Sequence, residues 1–221
     1  MPSVLFGSIS TLADTSELQR EAFNEAFTEH GLDWHWDRSD YQATLTSNGG
    51  QNRIADYAAQ RNETVDATAV HDTKSKLFQQ MLATAAISPR SGVVDTVRGA
   101  KESGLKLGLV TTTSRDNIVA LLTALGPDLS LDDFDVVVDS ASVEESKPDP
   151  AAYTFALSRL DEAADQAVAI EDNVGGLTSA TAAGVACVAF PNENTAGHDF
   201  GGAEVVEQLD LPSLLSHVQQ D

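Results

Sequence analysis

Val4-Leu5-Phe6-Gly7-Ser8-Ile9-Ser10-Thr11-Leu12 begins as a short apolar run and gives way to small and polar residues at a helix start. A run that is continuously apolar, rather than alternating, marks a parallel strand covered on both faces. Such a strand delivers a functional group to the edge of its sheet. At strand spacing the two positions facing a site there are Gly7 and Ile9, and neither side chain carries chemistry. Ser8, one residue off, is expected on the opposite side.

Four further runs share this character: Leu107–Val110, Val136–Val138, Ala167–Ile170 and Val185–Phe190. Helical patterns separate them. Gly92–Glu102 stops at Gly104, Arg115–Leu125 stops at Gly126-Pro127, and Asp149–Leu160 and Gly176–Ala183 follow, the last stopped by Gly184. Strand alternating with helix predicts an α/β fold with an open, doubly wound parallel sheet. Between the first two strands only helical patterns occur: Ser16–His30, Ser39–Thr46, Gly50–Arg61 and Val70–Ala86. This reads as an all-helical cap domain over residues 15–87, inserted into a core domain of residues 1–14 and 88–221. It is expected over the carboxyl ends of the strands, where open α/β sheets bind ligands.

Composition narrows the partners. Thirteen Lys and Arg face 34 Asp and Glu, a formal net charge of −21 that repels nucleic acid and anionic membranes. The acidity is spread along the chain. Exclusion of acidic partners and adaptation of the whole surface to a salty cytoplasm both account for it. The one cysteine, Cys187, lies in an apolar run and reads as a small buried hydrophobe. No secretory leader or membrane span is apparent, so a cytoplasmic, monomeric protein is expected.

The informative residues follow the strands. Thr111-Thr112-Thr113-Ser114 after the second is a hydroxyl-rich turn that either holds a phosphate or simply caps a helix through Ser114. Lys147-Pro148-Asp149-Pro150 after the third places one Lys where it neutralises an anion or decorates a surface turn. Glu171-Asp172-Asn173 ends the fourth, and adjacent carboxylates there suit Mg2+, with a helix cap as the plainer role. Asp14-x-x-Glu17 reads as a capping pair.

In this order the pieces resemble the second, third and fourth motifs of the haloacid dehalogenase (HAD) superfamily. The Asn48-Gly49-Gly50-Gln51-Asn52-Arg53-Ile54 turn, Thr111–Asn117 and Pro191–Ala203 resemble its CbbY branch, near β-phosphoglucomutase, over nearly the whole chain. The resemblance implies a Rossmann-like core with a helical cap, Thr111, Thr112 and Lys147 as phosphate ligands, and Glu171 and Asp172 as a weakened Mg2+ site. It also implies that the cap turn, with Gly49, Gly50 and Arg53, recognises the rest of a phosphosugar; Arg53 either meets a second phosphate or faces solvent.

In that family the first strand ends Asp-x-Asp-Gly-Thr, where the first Asp attacks phosphorus and binds Mg2+ and the second moves the proton. The corresponding residues here are Gly7, Ile9 and Ser10, and only Thr11 survives. Losing the nucleophile removes the covalent route, and losing the acid/base alone removes roughly 10²–10⁴ in rate. The expectation is a phosphosugar-binding pseudoenzyme with weak or absent dependence on Mg2+. An active Mg2+-dependent phosphatase with a non-standard mechanism and a scaffold protein are the alternatives.

Overall fold

A computed structural model of the chain describes residues 2–45 and 49–218. The five apolar runs form five parallel strands: β1 (Ser3–Phe6), β2 (Lys106–Val110), β3 (Val136–Val138), β4 (Ala167–Glu171) and β5 (Ala186–Ala189). They are ordered β3-β2-β1-β4-β5. Phe6 stands opposite Leu109 on one side and Ile170 on the other, so β1, β2 and β4 end together. The order reverses between β1 and β4, which puts the crevice at their carboxyl ends.

Strand parity sorts the side chains. Val4, Phe6, Leu107, Leu109, Val168 and Ile170 pack on one face, against α6 (Val93–Glu102) and α7 (Arg115–Leu125). Leu5, Val110, Ala167 and Ala169 pack on the other, against α8 (Ala151–Leu160) and α9 (Val174–Ala182). By the same parity Gly7 and Glu171 are aimed at the α8 face. Two helices start away from their sequence expectation, each for a local reason. Asp149 accepts the amide of Ala151 in a turn that delays α8, and Asn173 accepts the amide of Gly176 and caps α9 two residues early.

Between β1 and β2 lie the one-turn α1 (Ile9–Leu12) and the cap helices α2 (Ser16–Glu29), α3 (Arg38–Thr44), α4 (Gly50–Gln60) and α5 (Ala67–Leu82). The expected end of the third helix at Thr46, and Asn48 of the cap turn, lie outside the described residues. Phe23, Phe27, Trp34, Trp36 and Tyr41 give the cap its own aromatic core, with Trp36 edge-on to Phe27 at 4.7 Å. Ala22, Phe78 and Leu82 instead join the large core cluster and tie α2 and α5 to the sheet. Among the described residues no helix is long and apolar enough to cross a membrane.

Arg90 locks the chain where it returns from the cap. Its guanidinium donates to the carbonyls of Ser10 (3.1 Å), Phe190 (2.8 Å) and Pro191 (2.5 Å), and its amide donates to Leu12. It also stacks 3.4 Å from the Phe190 ring centroid. Arg90→Ala strands these carbonyls and removes the stack. We expect a loss of about 3 kcal/mol, read as a melting temperature lower by about 6–12 °C in calorimetry.

Candidate functional site

A cavity of about 730 Å³ lies at the carboxyl ends of β1, β2 and β4, beneath α4 and α5. Gly7, Ile9, Gly49, Gly50, Arg53, Thr111, Thr112, Lys147 and Asp172 all line it. Of the site residues expected from sequence, Glu171 alone does not.

The hydroxyl turn serves both roles read for it. Ser114 accepts the amide of Asn117 and caps α7, while Thr111 and Thr112 remain on the cavity wall. The Thr111 hydroxyl accepts the amide of Thr113 at 3.2 Å, which fixes the turn.

Ser8 corrects the sequence expectation. The ladder ends one residue beyond β1, where the Gly7 amide donates to Ile170, and strand alternation ends with it. Ser8 caps α1, accepting the amide of Thr11, and its hydroxyl donates to Asp172 Oδ1 at 2.9 Å on the cavity wall. Asp172 also accepts from Asn173 on Oδ1 and from Asn192 on Oδ2 at 2.7 Å, so three donors hold it.

The expected capping pair is also different. Asp14 accepts the amide and hydroxyl of Ser16 and the amide of Glu193. Glu17 does not reach back; it meets Arg20, Arg38 and Asn194. Burial opposes its ionisation, but those three partners outweigh it and hold the carboxyl down at about 2. The pair fastens α2 to the loop after β5.

The largest departure concerns Glu171. Its side chain is fully buried, and Oε1 accepts from Lys147 Nζ at 2.6 Å and from the Tyr153 hydroxyl at 2.7 Å. A Cβ placed on Gly7 would stand 2.1 Å from that Oε1 and 2.5 Å from the Tyr153 oxygen; one placed on Gly176 would stand 2.1 Å from Oε2. Glu171 therefore fills the space beside Gly7 in which a longer side chain would begin. Lys147 spends its three protons on Glu171, the Gly7 carbonyl (2.5 Å) and the Val110 carbonyl (2.6 Å). Burial pushes the Glu171 carboxyl above its usual range, against the pull of Lys147.

These residues do not fit Mg2+, which takes near-octahedral oxygen ligands and keeps several waters. Glu171 is fully buried off the cavity wall, where its Oε2 is left without a partner, the Gly7 carbonyl is taken by Lys147, and Asp172 is engaged by three donors. Among the described residues no group of three or more His, Cys, Asp or Glu is gathered to hold a metal.

The cap side is different in charge. Arg53 is half-buried: it lines the cavity, and its buried Nε has no hydrogen-bond partner. Lys74, which sequence reasoning missed, is buried against the rings of Phe23 (4.8 Å) and Phe78 (5.0 Å) and donates to Gln19 at 3.1 Å. Burial, and secondarily Arg53, lowers its ammonium to about 7. His71 beside it falls to about 4, through burial and then Lys74 and Arg53, with Asp72 opposing. The signal for Lys74 was present: Val70, Lys74, Phe78 and Leu82 form the buried stripe of α5 at helical spacing. The two cap-turn glycines have backbone reasons. Gly49 has φ +74°, and a Cβ on Gly50 would stand 2.7 Å from the His71 ring. Cys187 is half-buried rather than buried, and burial raises its thiol.

Gly7→Ala is expected to cost roughly 1–3 kcal/mol by overpacking. In a double-mutant cycle with Glu171→Ala, measured by denaturant melts, that cost should shrink, with the contact to Tyr153 remaining. Additive losses would place the strain elsewhere.

The protein resembles "Protein CbbY" of Cereibacter sphaeroides, at 38% identity over 91% of this chain and 89% of the relative. It resembles "Protein CbbY" of Rhodobacter capsulatus at 35% identity, over 92% and 91% of the two chains. Among solved structures, a mutant CbbY from Rhodobacter sphaeroides in complex with xylulose-(1,5)bisphosphate superposes with a TM-score of 0.87, at 37% identity over 94% of this chain and 95% of that one. CbbY from the same organism in complex with phosphate gives 0.86 at the same identity and coverage. The model of the haloacid dehalogenase-like hydrolase family spans residues 10–190. With its parallel sheet, helical cap and CbbY homologues, this chain belongs to the haloacid dehalogenase-like hydrolase family.

Proposed function

We propose that this protein binds a phosphorylated sugar without hydrolysing it through an aspartyl phosphate. The observation that carries this reading is the charge of the cavity. Four of the chain's thirteen Lys and Arg line it, Arg53, Lys74, Lys76 and Lys147, against three carboxylates, Asp72, Asp116 and Asp172. Arg53 Nε is unpartnered, and the Lys74 ammonium meets the neutral Gln19 and two rings. Desolvated cations left in this condition suit an anionic ligand. At the other end Gly7 and Ile9 offer neither nucleophile nor proton donor. The complexes of CbbY with xylulose bisphosphate and phosphate support a pentulose phosphate as the ligand class. The hydroxyl turn at Thr111 and Thr112 then faces one phosphoryl end and the cap cations the other. A metal-bound water held jointly by Glu171 and Asp172, the route an active phosphatase would need, has little support in the orientation of Glu171.

Calorimetric titration with xylulose 1,5-bisphosphate, paired with a phosphate-release assay, tests the proposal. Saturable one-to-one binding with release no faster than the buffer blank is expected. Release above the blank that Lys74→Met abolishes would restore the phosphatase reading, and the absence of any binding would leave a scaffold.

Lys74→Met should weaken binding at least about tenfold, the loss of one charge-assisted contact. It should also raise the melting temperature of the free protein by a few degrees. The sign follows from its depressed value: relative to its ordinary 10.5, the buried ammonium costs stability as pH falls, fully so below about 7. For sulfate, whose charge is fixed, affinity should fall by up to about tenfold from pH 6 to pH 8 as Lys74 loses its proton. Lys74→Met should flatten that profile, since His71 at about 4 stays neutral throughout.

A further inference from the structure

We propose that Glu171 is a built-in occupant of the missing carboxylate's place. It takes that group's volume and its cationic partner, and so makes anion binding in this cavity independent of a divalent metal.

Three observations converge on it. The first is volume: the Glu171 carboxylate is wedged between the Gly7 and Gly176 backbones, and at both positions even a methyl carbon would overlap it. The second is charge. Lys147 is the basic group nearest the end of β1, and its three protons go to Glu171 and two backbone carbonyls, leaving none for an incoming phosphoryl oxygen. The third is access: Glu171 is fully buried and off the cavity wall, so the carboxylate that parity pairs with Gly7 presents no oxygen to an ion in the cavity. Tyr153 holds it there from α8.

The consequence is a division of labour within one cavity. At the core end the lysine is matched by its own glutamate, and Asp172 on the cavity wall is held by neutral donors. Hydroxyls and amides there can still receive a phosphoryl group, but the net attraction comes from Arg53 and Lys74 across the cavity. A divalent ion would have to displace Glu171 from Lys147 and Tyr153 and leave a buried ammonium unpaired, a heavy penalty.

Two measurements on the full chain decide this. In the first, Mn2+ is titrated by electron paramagnetic resonance, with and without inorganic phosphate. This arm does not depend on the proposed ligand class. No site tighter than the millimolar range is expected in either condition, whereas a stoichiometric Mn2+ site in the presence of phosphate would overturn the proposal. In the second, which rests on the reading of the cavity as an anion site, inorganic phosphate is titrated calorimetrically in MgCl2 and in EDTA. The two affinities should agree within about twofold. Glu171→Gln keeps the shape and removes the charge, so Lys147 becomes available and phosphate affinity should rise about tenfold or more. An unchanged affinity in a variant with native circular dichroism would overturn the proposal; should the variant not fold, the Mn2+ measurement still decides.

Discussion

One buried ion pair, Lys147 to Glu171 at 2.6 Å, governs the carboxyl edge of the sheet. A charge taken out of water must be matched, and stripping one partner from such a pair costs about 3–5 kcal/mol. Lys147 reaches its position from the segment after β3 and finds acceptors at the ends of β1, β2 and β4. It therefore joins the ends of three parallel strands. Gly7 follows from it: with Glu171 drawn to Lys147 and Tyr153, any side chain at position 7 would compete for the same space. Gly176 is constrained from the other flank. The smallness of two residues and the burial of a third are one fact.

The second organising feature is the contrast between surface and cavity. A chain with a net charge of −21 repels anions at long range, and that field is screened by salt within roughly 10 Å. To hold the anion proposed for it, the cavity would have to attract at short range, from groups that water does not screen. Lys74, buried on α5, and half-buried Arg53, through its buried Nε, meet this requirement, with Gly50 letting α4 approach α5 at His71. Burial is thus not incidental to these cations. The low dielectric that destabilises them in the empty site strengthens their pull on a bound anion.

Much of this was legible from sequence where the signal is local. The five continuous apolar runs gave strands within a residue or two, because a strand covered on both faces leaves few polar interruptions. The all-helical interval between the first two strands separated cap from core. Legibility failed where tertiary contacts decided. Ser8 was misplaced because alternation was extended beyond Phe6, into a residue whose hydroxyl already caps α1. Glu171 read as a cavity carboxylate because its neighbour Asp172 is one. Parity with Ala169 aims it at α8, but only the pairing of Gly7 with Gly176, 169 positions apart, discloses the space it fills. Lys74 was missed although a lysine on a buried helical stripe is itself a signal.

That lysine bears on why the fold keeps a site at all. A scaffold needs the buried stripe of α5 but gains nothing from an ammonium within it, since an apolar side chain would pack there without the cost of desolvation. The same holds for Arg53, whose buried Nε has no partner in the cap. Stability alone would favour replacing both. The centre of the site is arranged differently: there Glu171 fills the space beside Gly7 and pairs with Lys147, with its Oε2 left unpartnered. At the sheet end Glu171 and Lys147 are drawn into the core, while costly groups persist at the cap end. The asymmetry supports the reading proposed above, in which this cavity serves binding.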